Sequence, residues 1–287
     1  MSHSFHRRGR HSGLHPTGTG RYQETPAIQR GRSGALYLER GDEVFDLSLW
    51  QRVKSGGGLL DEKYSADGLT EALEDYFGDL KLGDLLKPCM ITAYDIRRRH
   101  AHFFRQHDAK NAPWKNFYVK DVARATSAAP TFFEPARVKS MTNVPYPLID
   151  GGLFANNPAL CAYAEARFLP KKPKAKDMAI LSLGTGDRKE PYPYNTAKDW
   201  GALGWVQPVI DIMMSGVSET VDYQLHQIFD AVDRKEQYLR IDPGLGTAST
   251  AMDDASPENL TALRDAGQKA AEDHVDELTV FVNKHLK

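Results

Sequence analysis

Short apolar runs that end at a glycine or a turn residue alternate with longer helical segments along most of this 287-residue chain. The pattern predicts strands at 87–96, 97–108 (its polar end forming a turn), 147–150, 177–186 and 236–243. It predicts helices at 69–79, about 120–127, 158–170, 205–229 with a kink near Pro208, and one or two between 256 and 286. Strands that alternate with helices are typical of layered folds, so we predict an α/β fold with a mostly parallel sheet.

Two helix starts carry local capping signals. Ser65 or Asp67 can cap the helix that begins near Leu69, because their side-chain oxygens can accept from free backbone N–H groups. Ser256 can cap the last helical segment, with Pro257 at its first position.

Composition excludes several classes of protein. No apolar run approaches the ~18 residues that a membrane-spanning helix needs, so we expect no transmembrane segment. The basic start is not followed by the apolar stretch of a secretory signal. Cys89 and Cys161 lie in apolar surroundings without C-x-x-C spacing, which favours reduced thiols and a cytoplasmic location. The histidines form no ligand spacing such as H-E-x-x-H, so no metal is expected.

The first 34 residues differ in character from the rest of the chain. They hold six arginines and one glutamate, a net charge of +5, which leaves −6 for the remainder of a chain whose total is −1. They show no apolar period, so we predict a disordered basic head at 1–34 and one α/β domain at 35–287. A basic segment can bind nucleic acid or anionic lipid. The lack of interleaved aromatic residues favours a solvated tail, and no nucleic-acid partner is expected.

The stretch YPLIDGGLFANNP, residues 146–158, places a carboxylate at the end of a predicted strand. Functional side chains of open α/β sheets project from such ends. Gly151 and Gly152 allow a sharp turn and leave open space beside Asp150. A carboxylate held there can accept the proton of a serine hydroxyl and so activate it as a nucleophile. An aspartate that only forms a turn before two glycines is the structural alternative.

The segments DVARATSAAPTFFEP, YPLIDGGLFANNPALCAYAEA and ILSLGTG closely resemble the patatin-like phospholipases. The resemblance implies a three-layer α/β fold and hydrolysis of lipid acyl esters by a Ser–Asp dyad, without metal or cofactor. It implies that Asp150 is the base, within a D-G-G motif completed by Gly151 and Gly152. The implied partner is a lipid or acyl-ester substrate, with peripheral membrane contact as a further expectation.

The chain departs from the family pattern before Ala35. Neither G-x-S-x-G, which carries the family's nucleophile, nor the G-G-G-x-R-G oxyanion loop precedes that residue. GRSGA (31–35) is a partial elbow that makes Ser33 the candidate nucleophile, although no apolar strand precedes it. We therefore expect a domain incomplete on its amino-terminal side, through a frameshift or a misplaced start, and impaired hydrolysis. A family member that lost catalysis and kept a lipid- or partner-binding role is the alternative.

Other candidate residues have plainer interpretations. Ser127 is expected to pack at a helix end and Ser182 to face a buried strand, so neither is the preferred nucleophile. Asn156 and Asn157 are expected to fix a turn and cap the next helix. The glycines of LGTG (183–186) are expected to form a strand-exit turn, since the sequence lacks the Lys-Ser/Thr of a phosphate-binding loop.

Three features without a catalytic assignment complete the sequence prediction. SGGG (55–58) is expected to be a flexible loop, and His226 a surface or satisfied polar residue. Four apolar residues at helical spacing favour core packing, with the flank of an acyl-chain groove as the alternative. They are Ile210, Met213, Met214 and Val217.

Overall fold

The computed structural model describes residues 64–186 and 190–285. The predicted basic head, Ser33 and the loop at 55–58 lie outside these residues. The helices are α1 (Asp67–Phe77), α2 (Gln106–Asn111), α3 (Val119–Thr126), α4 (Gly152–Ala155), α5 (Ala159–Ala166), α6 (Tyr194–Ala197), α7 (Ala202–Asp230), α8 (Pro257–Asp273) and α9 (Val275–His285). The strands are β1 (Met90–Asp95), β2 (His100–Arg105), β3 (Ala136–Lys139), β4 (Pro145–Asp150), β5 (Ile180–Leu183) and β6 (Tyr238–Ile241).

The larger sheet contains four strands in the order β2-β1-β4-β3, and each neighbouring pair is antiparallel. β1 pairs along its whole length with β2, from Met90 opposite Arg105 to Asp95 opposite His100. Only the last three residues of β1 pair with β4. The pairing begins with Ala93 opposite Asp150, so the end of β4 lies against the interior of β1.

The mixed α/β class is confirmed, but the strand directions differ from the expected mostly parallel sheet. Within the described residues the parallel pairing is that of β5 with β6, in a separate two-stranded sheet. Residues 96–99 join β1 to β2, and residues 140–144 join β3 to β4. Connections this short join antiparallel neighbours, because a parallel pair needs a crossover of about a dozen residues or more. β5 and β6 have such a crossover, which contains α7.

A buried carboxylate closes the turn between β1 and β2. Asp95 is fully buried, and its Oδ1 accepts from the backbone N–H groups of Arg97 and Arg98 at 2.9 and 2.8 Å. Its Oδ2 accepts from Nη1 of Arg98 at 2.7 Å. Burial acts to raise the pKa of Asp95, but the hydrogen bonds and the charge of Arg98 lower this pKa by more. The carboxylate therefore remains ionised as part of the turn.

The main core lies between the larger sheet and α3. Phe104 of β2 and Phe117, both almost fully buried, meet edge to face with ring centroids 4.9 Å apart. Val122 of α3 and Leu148 of β4 belong to the same cluster. A second cluster joins α5 and α7 to β6. Each of the two sheets therefore packs against its own apolar cluster.

The helix predictions are confirmed in position, with differences at their ends. Ser256 caps α8 as predicted, since its Oγ accepts from the N–H of Asn259 at 3.3 Å. Ala66 holds the cap position of α1 instead of Ser65 or Asp67, and the Oγ of Ser65 accepts from the N–H of Asp67 at 3.2 Å. Ser65 thus forms a local turn with Asp67 and does not cap the helix.

Truncating a core leucine of β4 should destabilise the fold far more than truncating an exposed one. Leu148 is fully buried, whereas Leu86 is 96% exposed. We expect Leu148→Ala to lower the free energy of unfolding by about 3 kcal/mol, because it removes buried methyl groups and leaves a cavity. Leu86→Ala should change it by no more than ~0.5 kcal/mol. Urea unfolding measures both, and equal losses would contradict the core described here.

Candidate active site

Asp150 is the last residue of β4, and its backbone is held by β1 and by the loop after α3. It pairs with Ala93 of β1, and its N–H donates to the carbonyl oxygen of Ala128 at 3.0 Å. Residues opposite each other in an antiparallel pair share a face of the sheet, as do residues two apart in a strand. Asp150 therefore shares a face with Ala93 and Leu148, which are both fully buried. The carboxylate lies where the core reaches the end of the sheet.

The Asp150 carboxylate is half-buried and has one hydrogen bond, with Oδ1 accepting from the N–H of Gly152 at 2.7 Å. Burial raises its pKa above the ordinary aspartate value, and the Gly152 hydrogen bond offsets part of that rise. No charged neighbour contributes to the shift, and within the described ranges no cation is paired with Asp150. The group therefore differs from Asp95, whose charge is neutralised by an arginine.

The two glycines after Asp150 serve different steric purposes. A Cβ atom at position 151 would lie 2.5 Å from the backbone carbonyl of Thr92, a distance that real Cβ atoms do not adopt. The chain can pass this close to β1 only with glycine at 151. A Cβ atom at position 152 would meet Oδ1 of Asp150 at 3.2 Å. Glycine at 152 thus leaves the space beside the carboxylate open.

The asparagines that follow form the predicted turn and connect it to α7. Oδ1 of Asn157 accepts from the N–H of Ala159 at the start of α5, at 3.1 Å. Nδ2 of Asn156 donates to the carbonyl oxygen of Met214 in α7, at 3.3 Å. This second contact ties the turn after Asp150 to a helix some sixty residues later, and no sequence signal indicated it.

Ser127 lies beside the end of β4 without bonding to its carboxylate. It caps the end of α3, and its N–H donates to the carbonyl oxygen of Ala123 at 3.1 Å. The neighbouring residue, Ala128, accepts from the N–H of Asp150. The hydrogen bonds found among the described residues do not join the Ser127 hydroxyl to Asp150. Its helix-end position is the predicted one.

Ser182 lies in a buried polar network next to β6. Its Oγ donates to Oδ1 of Asn157 at 3.3 Å and accepts from Nη1 of Arg240 at 3.0 Å. Arg240 also pairs with Asp242 at 2.7 Å. The Ser182 hydroxyl is thus committed to structural contacts, in agreement with the prediction that it faces a buried strand.

The LGTG segment is a strand-exit turn, as predicted. The N–H of Gly184 donates to the carbonyl oxygen of Ile241 at 2.8 Å, and the N–H of Gly186 donates to Oδ1 of Asp242 at 3.1 Å. Gly186 has φ +93°, a conformation that favours glycine. These backbone donors bind protein acceptors, so they are not free to hold a phosphate.

The remaining candidates show no ligand-binding arrangement. Nε2 of His226 lies 3.7 Å from Oδ1 of Asp222, and its ring packs edge-on against Tyr238 with centroids 4.8 Å apart. The side chain is exposed, so His226 is a surface residue, which is one of the two predicted alternatives. Among residues 64–186 and 190–285 there is no cluster of three or more His, Cys, Asp or Glu able to hold a metal ion. Cys89 and Cys161 are half-buried free thiols, and burial raises the pKa of each. No helix in the described part of the chain is long and apolar enough to cross a bilayer.

Comparison with known proteins agrees with this arrangement. Residues 28–163 match the family described as "Patatin-like phospholipase". "Patatin-like protein 2" of Arabidopsis thaliana is 33% identical over 263 residues, which cover 82% of this chain and 64% of that protein. "Patatin-like protein 2" of Oryza sativa subsp. indica is 29% identical over 91% of this chain and 71% of its own length. "Probable inactive patatin-3-Kuras 1" of Solanum tuberosum is 29% identical over 84% of this chain and 67% of its own length.

The structure is thus a mixed α/β domain with an acidic residue in a D-G-G turn at a strand end. The chain belongs to the patatin-like phospholipase family. It spans just under two thirds of the length of the Arabidopsis relative.

Replacing Asp150 by asparagine should stabilise the protein near neutral pH and lose this advantage in acid. Because the folded-state pKa is raised, the ionised carboxylate costs stability above that pKa. Below the ordinary carboxyl pKa of about 4, both the folded and the unfolded states are protonated and the cost is absent. Asparagine keeps an acceptor for the N–H of Gly152 without the charge. We expect Asp150→Asn to raise the Tm at about pH 7, with the difference shrinking toward about pH 3.

Thermal melts followed by circular dichroism measure this difference. Asp265→Asn is the control, because Asp265 is exposed and pairs only with its neighbour Arg264 at the surface. Its Tm should stay close to that of the parent at both pH values. A lower Tm for Asp150→Asn at neutral pH would mean that the carboxylate stabilises the fold and is not a desolvated base.

Proposed function

We propose that this protein acts on acyl lipids and that Asp150 is the base of a Ser–Asp pair which hydrolyses a carboxylic ester. The observation that supports this most directly is the state of the carboxylate. It is half-buried at a strand end and unpaired with any described cation, and glycine leaves the space beside it open. A carboxylate that only closes a turn, such as Asp95, is instead neutralised by hydrogen bonds and an arginine.

In the reaction proposed for this site, Asp150 first accepts a proton and then returns it. A serine hydroxyl attacks the ester carbonyl carbon while its proton passes to the Asp150 carboxylate. The protonated carboxyl returns the proton to the leaving alcohol oxygen as the carbon–oxygen bond breaks. Water then repeats the sequence and releases the carboxylic acid. Because burial raises its pKa, Asp150 is a stronger base than an ordinary aspartate.

The proposed reaction needs a serine nucleophile. Ser127 lies at the end of α3 and Ser182 is hydrogen-bonded within a buried network. Ser33 is therefore the candidate nucleophile. Ser33 lacks a preceding apolar strand, so we propose that hydrolysis is impaired. Loss of the nucleophile in a serine hydrolase lowers turnover by roughly 10⁶-fold.

The second candidate function is a lipid-binding module without catalysis. Two observations favour it. One similar protein, from Solanum tuberosum, is named as probably inactive. In addition, α7 exposes several large apolar side chains, among them Ile212 and Met213. A binding module would use this exposed surface and leave Asp150 with only a structural role.

The purified chain should hydrolyse a short-chain nitrophenyl ester slowly, at a rate that Asp150→Asn abolishes. Since turnover is expected to be low, a serine-directed fluorophosphonate is the more sensitive probe, because it needs a single attack. We expect one labelled serine, with Ser33 as the candidate, and loss of the label in Asp150→Asn. Mass spectrometry identifies the labelled residue, and Ser33→Ala checks the assignment.

Asp265→Asn should leave both the label and the hydrolysis unchanged, because that carboxylate is exposed at the surface. If no serine is labelled in an Asp150-dependent way, the pair does not exist, and retained binding of acyl lipid would then support the non-catalytic module. Fast hydrolysis sensitive to Asp150 would refute the proposed impairment and leave the role of the base intact.

A further inference from the structure

The first half of α7 presents an apolar face to solvent. Five side chains form this face, and each is between 38% and 55% exposed. Their spacing of i, i+1, i+4, i+7 and i+8 places them on one side of the helix. We call this set the α7 stripe: Trp205, Val206, Val209, Ile212 and Met213. Core packing was the sequence expectation for Met213, and its 55% exposure shows that this expectation is wrong for that residue.

The rest of this segment makes few contacts with the protein: of residues 201–213, Pro208 is buried, Ile210 is half-buried and the others are exposed. The carbonyl oxygen of Met214 accepts from Asn156. Asp211 is exposed on the other side of the helix and accepts from the hydroxyl of Tyr192 at 2.7 Å, so a hydrogen bond covers part of its charge. Surface helices ordinarily turn their apolar face to the core and their polar face to water. This segment instead leaves an apolar stripe exposed to water, which indicates that an apolar medium covers the stripe in use.

An aromatic group lies at the start of the stripe. The rings of Tyr192 and Trp200 are 5.5 Å apart, and those of Trp200 and Trp205 are 5.0 Å apart, both in edge-to-face contact. Tryptophan and tyrosine favour the boundary between hydrocarbon and water, because their rings are apolar and their N–H or O–H groups need a polar partner. The stripe thus combines aliphatic residues, which favour hydrocarbon, with an aromatic end that favours the headgroup level.

The charges around the stripe select among lipid surfaces. No lysine or arginine occurs between residues 199 and 233, whereas this stretch contains acidic side chains such as Asp211 and Glu219. A surface rich in anionic lipid attracts basic segments and repels acidic ones. The stripe is therefore suited to a neutral or zwitterionic lipid surface, bound by burial of apolar side chains.

The stripe also adjoins the candidate active site. It ends at Met213, and the next residue, Met214, contacts Asn156 in the turn that follows Asp150. We infer that the α7 stripe is the docking face of this protein for zwitterionic lipid, which delivers an acyl chain beside Asp150. This inference rests on the proposed function for the role of Asp150, but the docking itself does not require hydrolysis.

Flotation with vesicles of phosphatidylcholine alone tests the docking. The parent protein should float with the vesicles, and raising the salt concentration about tenfold should not release it, because screening weakens charge attraction and not apolar burial. The double variant Val209→Asp/Ile212→Asp should reduce binding by about tenfold or more, since each substitution would carry a charge into the lipid. Both positions are exposed, so the variant should keep the parent's thermal transition.

Val280→Asp/Val282→Asp is the matched control. These two valines lie on α9 and are 65% and 43% exposed. Binding of this control should equal that of the parent. Equal losses in the two double variants, or no flotation of the parent, would overturn the inference.

Two other occupants of the stripe predict different results. If a second copy covers it, sedimentation velocity without lipid will show a dimer that Val209→Asp/Ile212→Asp dissociates. If residues of the same chain cover it, hydrogen exchange at 205–213 will be slow in the free monomer at every concentration. Either result overturns the lipid assignment. Stripe-dependent flotation without Asp150-dependent labelling of a serine would defeat the proposed catalysis and leave docking intact, and the converse result would defeat docking alone.

Discussion

The close approach of Gly151 to Thr92 is the contact on which the candidate site depends. The antiparallel register of β1 and β4 places Asp150 opposite Ala93, and the chain must then turn beside the backbone of Thr92. Any larger residue at 151 would push the turn away from β1. The same turn directs Asn156 toward Met214 of α7. One steric constraint therefore determines both the position of the carboxylate and the helix that lies next to it.

The larger sheet contains two carboxylates at strand ends, and their surroundings give them opposite properties. Asp95 ends β1 and Asp150 ends β4, and both lie in the short stretch where these two strands pair. Asp95 is fully buried, yet an arginine and two backbone N–H groups lower its pKa. Asp150 has a single N–H donor and no cation, so burial raises its pKa. The donors and charges around a carboxylate, more than its depth, decide whether it can take up a proton.

Local features of the fold were predictable from sequence, because local signals determine them. The D-G-G turn, the strand before it, the helix after Pro158 and the cap at Ser256 all lie where the pattern predicts. The direction of the strands was also readable, since the four residues between β1 and β2 leave no room for a crossover. The alternation of strands and helices by itself favours parallel pairing, and the short connection between β1 and β2 overrides it.

The long-range contacts of the site could not be predicted in the same way. The close approach of Gly151 to Thr92 and the hydrogen bond from Asn156 to Met214 each join residues about sixty positions apart in the chain. Neither contact is marked by a sequence motif, because a threonine or a backbone carbonyl oxygen can occupy such a position in many folds. The raised pKa of Asp150 follows from the register of β4 on β1, so it too required the three-dimensional structure.

Helix α7 changes its role along its length, and this change links the fold to the proposed lipid contact. Its second half carries Leu225 and Phe229, which are fully buried in the core beneath β6. Its first half extends beyond that core with an equally apolar sequence, so its outward face has no protein surface of matching character among the described residues. The stretch 199–233 contains no basic residue, so attraction to anionic lipid is not what would bring this segment to a lipid surface. A helix anchored at one end and apolar at the other is suited to joining a folded core to a lipid surface, and the turn after Asp150 contacts it where the two halves meet.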